Sequence, residues 1–193
     1  MEFSDLDLNK TYSYADYLKW EFEERLELIK GKIFKMTPAP NTFHQKVSGN
    51  IYALLWNFLR GKKCDVYSAP FDVRLTRIKN EQEILTVVQP DICVICDPSK
   101  IDTKGCLGAP DIVIEILSPG NNKKELSNKY EVYEEAEVKE YWILHPNEMT
   151  FTRYILDNDK KFQPTKLLGC DDEVATDVLP GFVLKLNEVF ESL

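Results

Sequence analysis

Apolar positions along the chain change their period from segment to segment, and each change marks an element. Residues 26–29 and 32–36 are short apolar-rich runs on either side of Lys30-Gly31, which predicts strand, tight turn, strand, with residues 37–40 closing the hairpin. Val47, Ile51, Leu54, Leu55 and Phe58 then recur at i, i+4, i+7, i+8 and i+11, one apolar face of a helix over 41–60 that stops at Gly61. An earlier helix is expected over 13–25 with Ser13 near its N-cap. Residues 64–76 read as a strand interrupted by Pro70, followed by a polar loop over 77–82.

Two runs rich in β-branched residues, 87–96 and 110–117, are apolar at nearly every position, as in central strands covered on both faces. A helix over 122–136 follows, with Leu126, Tyr130 and Tyr133 as its inward stripe, then an apolar strand over 139–144 ending at His145-Pro146. Residues 149–193 read as short strands and turns with a brief C-terminal helix. No repeat or long linker divides the 193 residues, enough for one hydrophobic core. The expectation is a single α/β domain over 1–193, helices on a central sheet, with 1–11 loosely ordered.

Within that pattern Glu115 is conspicuous, because it lies inside Ile112-Val113-Ile114-Glu115-Ile116-Leu117. An ionised carboxylate in a buried strand is expensive unless paired, and such acids cluster at functional sites. The plainer reading is a buried salt bridge or a sheet-edge glutamate. Alternation puts Asp111, Val113, Glu115 and Leu117 on one face and Ile112, Ile114 and Ile116 on the other. Asp111 reads as a turn or capping residue after Gly108-Ala109-Pro110. Asp91 follows Pro90 on the preceding strand; if the two strands are neighbours, Asp91 and Glu115 converge as two oxygen ligands for a magnesium-like ion. Lys129 borders the inner stripe of its helix, since positions 126, 129, 130 and 133 span an arc of roughly 100°. It either snorkels to solvent or aims a cation at the acids to stabilise an anionic transition state or orient a water.

Charge narrows the options. The net charge is −8, with acidic blocks at 21–27 and 131–140 and basic ones at 60–63, 74–79 and 123–129. Nucleic acid would have to be held by local basic patches together with metal ions. Lys123, Lys124 and Lys129 are expected to form such a rim near the acids. No apolar stretch approaches the roughly 18–20 residues of a membrane span, and the first ten residues lack a signal-peptide layout, so a cytoplasmic protein is expected. Five scattered cysteines argue against a disulfide framework and for a reducing compartment. Cys93 and Cys96, three apart on a strand, point to opposite faces and read as small buried hydrophobes.

Taken in order, Leu26-Glu27-Leu28-Ile29-Lys30-Gly31, His44-Gln45-Lys46-Val47, Gln89-Pro90-Asp91, Ala109-Pro110-Asp111, Ile114-Glu115-Ile116-Leu117-Ser118-Pro119, Lys129…Tyr133 and Glu140-Tyr141-Trp142-Ile143 resemble the Uma-two family of restriction-endonuclease-like proteins, within the PD-(D/E)XK nuclease superfamily. The likeness runs from about Tyr12 to Phe190. It implies a restriction-endonuclease-like core: a central mixed β-sheet flanked by helices, with extra β-hairpins. It also implies an endonuclease that hydrolyses phosphodiester bonds with magnesium or manganese, acting on nucleic acid, DNA ahead of RNA, away from membranes and with a homodimer left open. By position, Asp91 and Glu115 match the two metal-binding acids. The lysine that the superfamily places two residues after the second acid is Leu117 here, and Lys129 matches the helix lysine that replaces it. Glu27 matches a further catalytic or metal-binding acid, against a plainer reading as a solvated charge. His44 matches a histidine at the helix start, with capping and proton transfer both open. His145 stands where the family usually has Asp and receives no role. Two rivals remain: a catalytically inactive binding module for nucleic acid or protein, and a metal-independent carboxylate hydrolase.

Overall fold

The computed structural model of the chain describes residues 3, 6–21, 24–36, 41–118 and 123–191, the side chains of 123–125 excepted. Tyr14–Tyr17 (α1) forms a single turn, begun where the Asp16 carboxylate accepts from the Ser13 N–H at 3.0 Å. The helix expected over 13–25 ends there. Past Trp20 the described residues Glu21, Glu24 and Arg25 offer no apolar face to bury.

At Lys30 and Gly31 φ is positive, 52° and 75°, the backbone of a two-residue hairpin loop. It joins Leu26–Ile29 (β1), wholly buried, to Lys32–Lys35 (β2) with Ile29 opposite Lys32. Asn41 caps the next helix, Thr42–Leu59 (α2), its Oδ1 accepting from the His44 N–H at 2.9 Å. Asn41→Ala should cost about 1 kcal/mol of stability, the usual value of an N-cap. A urea-denaturation midpoint unchanged within error would show that the cap holds nothing.

Two expected strands are each cut in two by a proline. The first becomes Asp65–Ser68 (β3) and Val73–Arg74 (β4), with a cis Ala69–Pro70 bond between them. The second becomes Val87–Val88 (β5) and Ile92–Ile95 (β6), separated at Gln89-Pro90-Asp91. Proline has no N–H for a ladder, and at both points the chain passes from one sheet to another. The Ala69 N–H donates to the Asp91 carbonyl at 2.9 Å and ties the two crossings together.

The remaining strands are Ile101–Asp102 (β7), Gly105–Leu107 (β8), Ile112–Ile116 (β9), Glu140–His145 (β10), Thr150–Leu156 (β11), Phe162–Pro164 (β12), Glu173–Ala175 (β13) and Val183–Lys185 (β14). Lys123–Glu135 (α3) connects β9 to β10, and Leu186–Val189 (α4) follows β14. One six-stranded sheet has the order β2-β1-β5-β4-β8-β7, the other β12-β11-β10-β9-β6-β3. The second is mixed: β9 and β10 run parallel and its other pairings are antiparallel. The expected β1–β2 hairpin is present and belongs to the first sheet, which also includes the β7–β8 hairpin, unmarked by any apolar alternation.

Strand alternation sorts the core into two layers. Ile112, Ile114, Ile116, Ile92, Val94 and Trp142 pack with Val47, Ile51, Leu55 and Leu59 of α2. Val113, Cys93, Ile95 and Tyr141 pack with Val132 and Tyr133 of α3. The two helices thus cover opposite faces of the second sheet.

Two charge and thiol expectations need correction. Cys64 and Cys96 form a disulfide, where free thiols were expected. Asp65 pairs with Ile95 across the antiparallel β3–β6 ladder, so the next positions outward, 64 and 96, meet directly. Arg74, counted in a basic surface patch, is buried beneath β8: its guanidinium donates to the Asp102 carboxylate at 2.6 Å and to the Cys106 carbonyl at 3.2 Å.

Candidate active site

Glu115 is fourth of the five residues of β9, with Ile143 of β10 opposite it on one side. On the other side Ile92 of β6 pairs with Ile114, which places Asp91 next to Glu115 in the same register. The Asp91 carboxylate reaches across: its Oδ2 accepts from the Ile116 N–H at 2.8 Å. Asp91 remains the open end of the site, its side chain 21% exposed against 9% for Glu115.

The face of β9 that carries Glu115 is covered by α3, and α3 supplies two partners one turn apart. Lys129 Nζ donates to Glu115 Oε1 at 3.0 Å, and the Tyr133 hydroxyl donates to the same oxygen at 2.7 Å. The ammonium also lies 3.1 Å from Glu27 Oε1, a carboxylate presented by β1 of the other sheet. That Glu27 oxygen accepts from the Gln89 N–H at 2.8 Å. Lys129 is therefore no snorkelling surface lysine: 5% of its side chain is exposed, and it bridges two buried acids from two sheets.

On the α2 side, His44 Nε2 lies 3.2 Å from Asp91 Oδ1, and the ring is buried with Nδ1 unpartnered. The same residue's N–H receives the Asn41 cap, so His44 serves the helix start and the acid at once. Asp111, at the far end of β9, accepts from the Cys96 N–H at 2.7 Å and pairs with Lys139 at 2.7 Å. It closes the strand end, away from the cluster. His145 is half-exposed at the end of β10, with Glu148 3.9 Å away. Glu140 is buried too, but the Trp142 N–H, Arg153 and the Thr176 hydroxyl satisfy it as a structural acid.

Burial sets the electrostatics. It pushes the Glu115 carboxyl from 4.5 up to about 7; the Lys129 charge opposes that shift, and the Asp91 and Glu27 charges reinforce it. Burial alone would pull the Lys129 ammonium down, yet Glu115 and Glu27 outweigh it and hold the amine well above its ordinary range. Burial and the neighbouring carboxylates likewise push the Tyr133 phenol far up, so it acts as a fixed donor.

Asp91 lies close enough for its charge to act on Glu115, and a pair of carboxylates is donor chemistry of the kind that suits a hard divalent cation completed by water or phosphate. Among the described residues no three or more His, Cys, Asp or Glu side chains are gathered into a metal-holding set. Glu27 is brought to Lys129 and Gln89 rather than into one ligand shell with the other two acids. The expected rim of Lys123 and Lys124 lies outside the described side chains. Tyr133 was legible only as an inward apolar position, and Gln89 acts through its main chain, for which its residue type carries no signal.

The profile of the Uma2 family, described as "Putative restriction endonuclease", matches residues 14–187. A crystal structure from Anabaena variabilis, titled a "putative nuclease belonging to DUF820", aligns with a TM-score of 0.68 over 92% of this chain and 97% of that one. At 19% identity this likeness shows a shared fold. An uncharacterised protein from Synechocystis sp. is 25% identical over 134 residues, 68% of this chain and 67% of its own. Among the described residues no helix is long and apolar enough to cross a membrane.

Proposed function

The chain belongs to the Uma2 family, whose description reads "Putative restriction endonuclease", and we propose that it is a divalent-metal-dependent endonuclease acting on nucleic acid, with DNA the first substrate to try. The observation that carries this reading is the buried Glu27–Lys129–Glu115 bridge beside Asp91. A purely structural ion pair needs one acid for one base. Here two carboxylates converge on one lysine and Asp91 lies beside them, a surplus of negative charge that suits a cation bound on the Asp91 side.

Asp91 and Glu115 would hold magnesium or manganese, which supplies Lewis-acid polarisation and charge neutralisation at a phosphodiester. The protein's own groups do the rest. The Ile116 N–H and His44 fix the two oxygens of Asp91, and Tyr133 fixes Glu115 from the opposite layer. Lys129, kept protonated by its two acids, orients the attacking water or stabilises the extra charge on phosphate. Glu27 holds Lys129 in place through an oxygen anchored on Gln89.

The test is cleavage of single- and double-stranded DNA and RNA with magnesium, with manganese and with chelator, alongside Glu115→Ala. Cleavage that needs the metal and disappears with Glu115→Ala is the expected result. Undiminished cleavage in chelator would favour a metal-independent hydrolase. Binding with no cleavage under any metal would favour the inactive module.

A further inference from the structure

Gln89 has a second side. While its main-chain N–H anchors Glu27, its side chain lines an open pocket of about 470 Å³ formed with Tyr17, Trp20, Arg25, Leu26 and Pro70. We propose that this pocket receives an unpaired nucleobase of the substrate, next to the bond to be cut; the inference rests on the nuclease reading and names the form of nucleic acid it acts on.

The volume lies within the range of small-ligand sites. Its walls are aromatic: the Tyr17 and Trp20 ring centroids are 5.8 Å apart at 58°, and Tyr12 braces Trp20 edge-on at 5.2 Å. Tyr17 is held at its hydroxyl by Asp72 at 3.4 Å and by Gln89 Nε2 at 3.3 Å. Both rings are half-buried and border the pocket. Rings fixed in this way lose little freedom when a base stacks on them, and any base has a face to stack.

The polar groups favour a neutral ring over a phosphate. Arg25 is the one cation among the described residues of the lining, and it already donates to Gln89 Oε1 at 2.7 and 3.2 Å. Glu24 stands in the same wall and Asp72 behind it, so an anion would meet two carboxylates. A neutral heterocycle meets no such repulsion, and the remaining guanidinium N–H groups can address its edge. Gln89 is two residues from Asp91, so a base in the pocket leaves its own phosphate near the acids. A paired base cannot enter without leaving its stack; the favoured substrate is therefore single-stranded or frayed.

Affinity for a single-stranded oligonucleotide should exceed that for the blunt duplex of the same sequence by tenfold or more. Trp20→Ala should remove that preference, weakening single-strand binding by about tenfold, the usual scale for one lost stacking partner, while Trp20→Phe keeps most of it. With the wild-type chain, an oligonucleotide carrying 5-iodouracil should photo-crosslink to Tyr17 or Trp20, a readout that needs no variant to fold. Equal binding of single strand and duplex, an unaffected Trp20→Ala, or crosslinks confined to other regions would overturn the pocket assignment and leave the nuclease reading standing. Absence of any nucleic-acid binding by the wild-type chain, with and without metal, would overturn both.

Discussion

Lys129→Met should lower cleavage by on the order of a hundredfold or more, the scale of losing one well-placed electrostatic stabiliser. Methionine fills the space of the aliphatic stem, so the packing of α3 on β9 is kept and the charge alone is lost. The loss has a second signature, because it leaves Glu27 and Glu115 facing one another with no cation between them. Removing one partner of a buried ion pair costs about 3–5 kcal/mol when the other cannot escape. Here the cost should be partly recovered by protonating Glu115 in mild acid. Lys166→Met is the control, on a side chain 80% exposed. Rates with saturating metal, together with urea midpoints at pH 5.5 and 8, separate the two effects. If Lys129→Met and Lys166→Met behaved alike in both measurements, Lys129 would have no part in the chemistry or in holding the acids.

The second large effect is a pH dependence of stability in the chain freed of metal. The Glu115 carboxyl titrates near 7 in the folded chain against an ordinary value of 4.5, raised chiefly by burial. Between those values the folded state keeps a proton that the unfolded state has released, so stability falls as pH rises across that window. At 1.36 kcal/mol per unit the loss is on the order of 3 kcal/mol, complete above about pH 7. Glu115→Gln removes the titration and keeps an oxygen for Tyr133 and Lys129. Urea denaturation in chelator at pH 4.5 and 8 should therefore show a fall in the wild type that shrinks by about that amount in Glu115→Gln. The same fall in both chains would mean that Glu115 ionises like an exposed glutamate. The variant should also be inactive, since a neutral amide supplies no charge to a divalent ion.

Elements built on local periodicity could be read directly. The α2 stripe, the Lys30-Gly31 turn and the β9 alternation are decided within a few residues, and the structure has them where the sequence puts them. Glu115 and Lys129 were legible for a related reason: Glu115 breaks an apolar pattern and Lys129 borders one, each with a known direction. Features decided by pairing between distant segments were not legible. Neither half of the 64–76 or 87–96 runs announces that it enters a different sheet, because an apolar run looks the same in either. Cys64 meets Cys96 only through the β3–β6 register. Tyr133 counted as core because its ring is core; its hydroxyl became informative once β9 was beneath it.

The polar cluster is divided between the two sheets, Glu27 on one and Asp91 and Glu115 on the other, with Lys129 leaning across the seam. That division makes the halves unequally free to drift. A change at Glu115 removes the acid on which both Lys129 and Tyr133 converge, whereas a change at Glu27 leaves that pairing, the β6-β9-β10 ladder and the Asp91–Ile116 bond intact. Substitution at this single position can thus weaken the hold on Lys129 and retune the charge of the centre while the scaffold stays whole, giving descendants of such a chain a short route between vigorous and attenuated forms.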